Sequence, residues 1–200
     1  MKKLVSLICV LAMVLALAAC GSSAPAAATE APAASTEAPA EDVSADKTFV
    51  VGICQLVQHP ALDAATQGFK DALTEALGDK VTFQEQNASG DSATCSLICN
   101  QFVSDEVDLI MANATASIQA AASATNTIPI LGTSITDYGV ALGVDNWTGV
   151  SGTNISGTSD LAPLDGQAAM IQELFPDAKT IGLLYCSGEP NSIFQADSME

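Results

Sequence analysis

Arginine is absent from this sequence. Six lysines face 23 aspartates and glutamates, for a formal net charge of −17 over 200 residues. Lys2 and Lys3 sit at the extreme N-terminus, which leaves Lys47, Lys70, Lys80 and Lys179 for the rest of the chain. Four scattered lysines make no basic patch, so nucleic acid is excluded as a partner. An anionic ligand group must be met by backbone N–H groups, helix N-termini or hydroxyls, or by residues beyond position 200. Histidine occurs once, as His59. One histidine and one close cysteine pair do not supply the roughly four ligands of a structural zinc site. The glycine-rich loops that cradle phosphates and dinucleotides are missing, as is the Gly-x-Ser-x-Gly nucleophile elbow. The chain therefore reads as a non-enzyme, with no catalytic residue, metal or cofactor expected.

What is present begins with Met1-Lys2-Lys3, a basic start to an apolar run from Leu4 to Ala16. Such a run is too short for a membrane span and reads as a secretory signal. Leu17-Ala18-Ala19-Cys20 resembles a bacterial lipobox. That resemblance implies cleavage before Cys20 and a lipid on its sulfur, with Lys2 and Lys3 lost. From Ser22 to about Asp46 the chain is Ala, Pro, Ser, Thr and Glu. Such a composition cannot bury enough surface to offset chain entropy, and is expected to form an extended tether.

The globular pattern starts at Thr48. Residues 48–54 form an apolar, β-branched strand signal, followed by the polar loop Gln55–Pro60. Leu62, Ala65, Phe69, Leu73, Ala76 and Leu77 then recur at helical spacing, between a Pro60 start and a Gly78 stop. Residues 80–86 alternate, as a half-exposed edge strand does. Cys95, Ile98, Cys99 and Phe102 share one helical stripe, capped by Asp91 or Ser92. This spacing predicts buried thiols rather than a metal pair. Residues 107–112 read as a central parallel strand and 116–125 as a helix of small residues. Residues 128–132 are the next strand, 133–138 a polar loop, and 139–143 a weak fifth strand. Strands alternating with helices argue a doubly wound parallel sheet, with strand order 2-1-3-4-5.

From Val144 to Asp160 the periodicity stops, and the segment reads as a crossover. A helix follows Pro163, then a buried strand at Thr180–Tyr185, then a helix opened by Pro190. The expected layout is a signal peptide at 1–19, a lipidated tether at 20–46 and a first α/β lobe at 47–143. A crossover at 144–160 then leads to an incomplete second α/β lobe at 161–200.

The segments Val51–Asp63, Ala112–Thr115, Ile128–Ile130, Thr133–Asp137, Ser159–Pro163, Glu173–Gly182 and Ser187–Ser192, in this order and spacing, resemble the substrate-binding lipoproteins of ABC transporters. The branch they resemble is the one associated with tryptophan or tyrosine uptake. The resemblance implies two lobes of the type I periplasmic-binding-protein kind, hinged around a small-molecule cleft. It also implies delivery of the ligand to a membrane permease and its ATPase.

In an open α/β sheet the ligand lies beyond the carboxyl ends of the strands. The candidate ligand residues are therefore Gln55, His59, Pro60, Thr115, Ala116, Ser134, Asp137, Glu189, Asn191 and Ser192. Thr115 with the N–H groups behind it suits a carboxylate, and Asp137 or Glu189 suits an ammonium group. Plainer roles exist for several: His59 and Thr115 as helix caps, Asp137 as a turn former. Tyr138, Trp147 and Tyr185 are candidates for stacking on an aromatic ligand. A sensor that presents its closed form to a membrane receptor needs the same cleft, so it stands as an alternative. An exported α/β hydrolase is a weaker one.

Overall fold

The computed structural model describes residues 47–199. The signal, the tether and Cys20 lie outside the described residues. Five parallel strands form one sheet in the order β2-β1-β3-β4-β5. They are β1 Phe49–Gln55, β2 Val81–Asn87, β3 Leu109–Asn113, β4 Ile130–Ile135 and β5 Ile155–Ser159. The helices are α1 Pro60–Leu77, α2 Ser92–Ser104, α3 Thr115–Ala124, α4 Tyr138–Leu142, α5 Leu164–Leu174 and α6 Pro190–Met199. This is the doubly wound α/β architecture expected from the alternation.

Side-chain parity on β1 explains the two faces. Val51 and Ile53 point to the α1 side, where they meet Val81, Met111, Phe69, Leu73 and Leu77. Cys54 points to the other side, into a larger core with Cys95, Cys99, Phe102, Ile110, Ile118 and Ile130. The stripe Cys95, Ile98, Cys99, Phe102 is buried as its spacing predicts. Gly52 lies under Phe102, whose ring would stand 2.6 Å from a Cβ there. Hydrogen bonding and burial raise two of these thiols, Cys54 and Cys95. Cys54 is held down by its hydrogen bond with Cys95, but its bond with Cys99 and burial outweigh that and push it up to about 12. Cys95 is raised by its bond to Cys54 and by burial.

The strand at 139–143 is corrected. That run is the helix α4, capped by Asp137, whose Oδ1 accepts from the Val140 N–H at 2.8 Å, and closed by Gly143 at φ 64°. The fifth strand is instead Ile155–Ser159, inside the segment read as a crossover, so the first sheet runs past residue 143 to Ser159. Only Ile155 of this strand is buried, which is why no apolar alternation announced it. Residues 133–135, read as loop, belong to β4.

A second correction falls on Thr180–Tyr185. These residues form no strand, and Leu184 is fully exposed. A strand exists only when a neighbour completes its hydrogen-bond ladder, and no described strand pairs with this segment.

Candidate functional site

The carboxyl ends of β1, β3 and β4 open onto a cavity of about 370 Å3. Leu56 after β1, Ala114, Thr115 and Ala116 after β3, and Ser134 in β4 form one wall. Cys186, Gly188, Glu189, Pro190 and Asn191 form the facing wall. Five of the expected residues therefore meet: Thr115, Ala116, Ser134, Glu189 and Asn191.

The first wall is built with strained backbone. Ala114 sits at φ 90°, ψ 162°, and Ser134 at φ 56°. Non-glycine residues in such regions cost of order 1–3 kcal/mol each, and they gather where geometry is tied to a task. At Ser134 the pairing of β4 with β5 slips between Gly132 and Ile135, a bulge that re-aims the side chain. Ala114 donates its N–H to Thr133 O at 3.1 Å, which fixes the β3–α3 turn against β4.

Three helices begin at this cavity: α2 at Ser92, α3 at Thr115 and α6 at Pro190. Each N-terminus carries about half a positive charge, which gives a chain without arginine a way to meet an anionic group. Two of the three already hold a carboxylate. Asp91 accepts from the Ala93 N–H at 3.0 Å and from the Thr94 hydroxyl at 2.8 Å. The Thr94 hydroxyl, then the Ala93 N–H, keep its carboxyl below the usual range. Glu189 accepts from the Ser192 hydroxyl at 3.2 Å at the start of α6. The third start, α3, has Ala114 at its cap and no side-chain cap bond. Thr115 follows the cap rather than forming it, so its plainer role falls away. Its side chain is buried at 5% exposure and lines the cavity, and its hydroxyl makes no hydrogen bond among the described residues.

The other expected residues lie elsewhere. Gln55 has the parity of Val51 and Ile53, and points toward α1 instead of the cavity. Its Nε2 donates to Val57 O at 2.9 Å and Asp63 Oδ1 at 2.6 Å, and its Oε1 accepts from the Thr66 hydroxyl at 2.7 Å. Its amide is thus consumed in bracing the loop before α1. His59 is the helix cap, its Nδ1 accepting from the Ala61 N–H at 3.2 Å, and Pro60 opens the helix. Neither lines the cavity. Asp137 caps α4, and Ser192 serves Glu189.

The aromatic candidates lie outside this cavity as well. Tyr138 donates to Gly132 O at 3.1 Å, stacks on Trp147 with ring centroids 6.0 Å apart, and is raised to about 12 by burial. Tyr185 lines a separate pocket with Ile181 and Ala168. None of the three lines the cavity over β1, β3 and β4. Leu56, Ser92, Gln119 and Cys186, which do, were not among the expected ligand residues. Gln119 had a readable signal, since it sits one turn after Thr115 on the same helix face.

A parallel sheet with helices on both faces, and a cavity over its strand ends, is the arrangement in which open α/β proteins place a small ligand. The family model of ABC transporter substrate binding proteins matches residues 50–200, and the chain belongs to that family. It is 43% identical over 152 residues to the tyrosine-binding protein of Clostridioides difficile (strain R20291), across 74% of this chain and 44% of that one. Among solved structures it is similar to an ABC domain in complex with L-Trp from Streptococcus pneumonia, at 34% identity and a TM-score of 0.71. It is also similar to a ligand-free, open substrate binding protein with adhesive properties from Clostridium difficile, at 43% identity and a TM-score of 0.60. Each structural match covers 76% of this chain and 52% of the other. The chain thus spans about half the length of the relatives it matches.

Proposed function

We propose that this protein is the extracytoplasmic solute-binding component of an ABC importer, and that its ligand is an amino acid, with an aromatic side chain. The observation that carries the reading is the cavity at the uncapped start of α3. There the N–H groups of Thr115 and Ala116 and the Thr115 hydroxyl converge beside Ser134 and face Glu189 and Asn191. A ligand carboxylate completes the missing cap of α3. Its α-ammonium group is met by Glu189, and Leu56 offers the apolar side chain a surface. A volume of about 370 Å3 falls within the span of small-molecule pockets, about 300–1,000 Å3.

A solute touching both the sheet ends and residues 186–191 favours the conformation in which the two walls are close, by its higher affinity for that state. The closed form is what a permease and its ATPase would receive. The lipid on Cys20 and the tether behind it would keep the protein at the outer membrane surface beside that permease. The relatives named for tyrosine and solved with L-Trp support an aromatic amino acid as the solute. Calorimetric titration of the full-length protein with L-Trp, L-Tyr, L-Leu and L-Glu tests the reading. Saturable binding of the aromatic pair alone supports it. Binding of none of the four overturns it.

A further inference from the structure

The cavity wall carries a nucleophile that solute binding does not need. Cys186 is free, exposed and lines the cavity opposite Thr115 and Ser134. The other described thiols are shut away: Cys54, Cys95 and Cys99 are buried with no measurable exposure. Cys186 is therefore the accessible thiol among the described residues. The same cavity holds the buried Thr115 side chain, whose hydroxyl makes no hydrogen bond among the described residues, so the wall on which Cys186 sits faces a place built for a ligand. We propose that Cys186 is a modification site that switches solute capture off, because an adduct on its sulfur occupies the space the solute needs.

The inference rests on the solute-binding reading of this cavity. The co-reactant is a low-molecular-weight disulfide. The Cys186 thiolate attacks one sulfur of the disulfide; the new S–S bond joins Cys186 to that half, and the other half leaves as a thiolate. The protein thiol is oxidised, half of the reagent is reduced, and an added dithiol reverses the step. A group added to a wall of a cavity of about 370 Å3 leaves too little room for an aromatic amino acid.

The test uses full-length protein made without its signal segment and carrying Cys20→Ser. It is titrated with L-Trp and L-Tyr before and after treatment with an aromatic disulfide reagent, whose released thiolate is counted. The expected result is one fast-reacting thiol, absent from Cys186→Ser. Treatment should weaken binding about tenfold or more, the equivalent of about 1.4 kcal/mol, with recovery in dithiol. Bound solute should slow the modification. Cys186→Ser should bind equally before and after treatment. Unchanged affinity on a fully modified protein overturns the proposal and leaves the solute-binding reading standing. An equal loss in treated Cys186→Ser also overturns it, since another thiol would be responsible. Absence of binding before any treatment overturns the solute-binding reading, and the switch with it.

Discussion

Two neighbouring residues at the start of α3 have opposite relations to stability and binding. The Thr115 hydroxyl has no partner among the described residues, so removing it costs the fold little, while a ligand carboxylate loses a charge-assisted hydrogen bond worth roughly 1.5–3 kcal/mol. Thr115→Val should therefore weaken solute binding by about tenfold or more with an almost unchanged melting temperature, read by calorimetry and thermal denaturation on the same samples. Ala114 is the converse. Its φ of 90° and ψ of 162° suit glycine alone, so Ala114→Gly should stabilise the protein by about 1 kcal/mol in urea denaturation. At this scale the sequence was only partly legible. Thr115 and Ala116 could be placed because they follow the end of β3, and Ser134 because it stands one residue from the end of β4. Gln55 could not, because the last residue of a strand points to one face or the other by parity alone. Nor could Cys186, since nothing in Tyr-Cys-Ser-Gly tells a cavity wall from open loop.

Strands and helices were more legible wherever a stop or start signal bracketed the apolar pattern. Pro60 and Gly78 mark α1 as the structure has it, and Asp91 caps α2. The failure at 139–143 has a local cause. Five apolar or small residues fit a strand or a helix equally, and the decision lay in Asp137 and Gly143, a cap and a left-handed stop. An electrostatic clip of β1 makes a prediction at this scale. Asp108 binds Lys47 Nζ at 2.6 Å and accepts the Val50 N–H at 2.8 Å, so its carboxyl is held below the usual range by Lys47 first and Val50 second. A carboxyl lowered on folding contributes stability that is fully present above its unfolded pKa of about 3.9 and is lost as pH falls through the folded value. Asp108→Asn should thus reduce stability at pH 7 and narrow the difference between pH 7 and pH 3. Urea midpoints at the two pH values check this; equal slopes in both proteins would show that the clip contributes nothing.

At the scale of the whole molecule, the sheet order was readable because it follows from burial. The half-exposed β2 had to be an edge, and the apolar β1 and β3 had to be central. What the chain does with Thr180–Tyr185 was not readable, because strand formation is not a local property. The segment has the composition of a buried strand, yet Ile181, Leu183, Leu184 and Tyr185 are all exposed and no described strand lies alongside. An apolar surface of this kind, continuous with Ala168, Ile171 and Met199 on α5 and α6, is held in water against the hydrophobic effect. Relatives of about twice the length supply enough chain to cover it. In this 200-residue polypeptide the amides of residues 181–185 should exchange with solvent within seconds, while those of 50–54 and 109–112, central in the sheet, stay protected. In a polypeptide that spans the relatives' full length, residues 181–185 should gain protection comparable to β3, because a ladder partner then satisfies their N–H groups. Hydrogen exchange read by mass spectrometry on both lengths separates the outcomes. Protection of 181–185 already present in the short chain would mean that the segment pairs locally. Exchange that stays fast in the long one would mean that its apolar pattern serves a surface and not a strand.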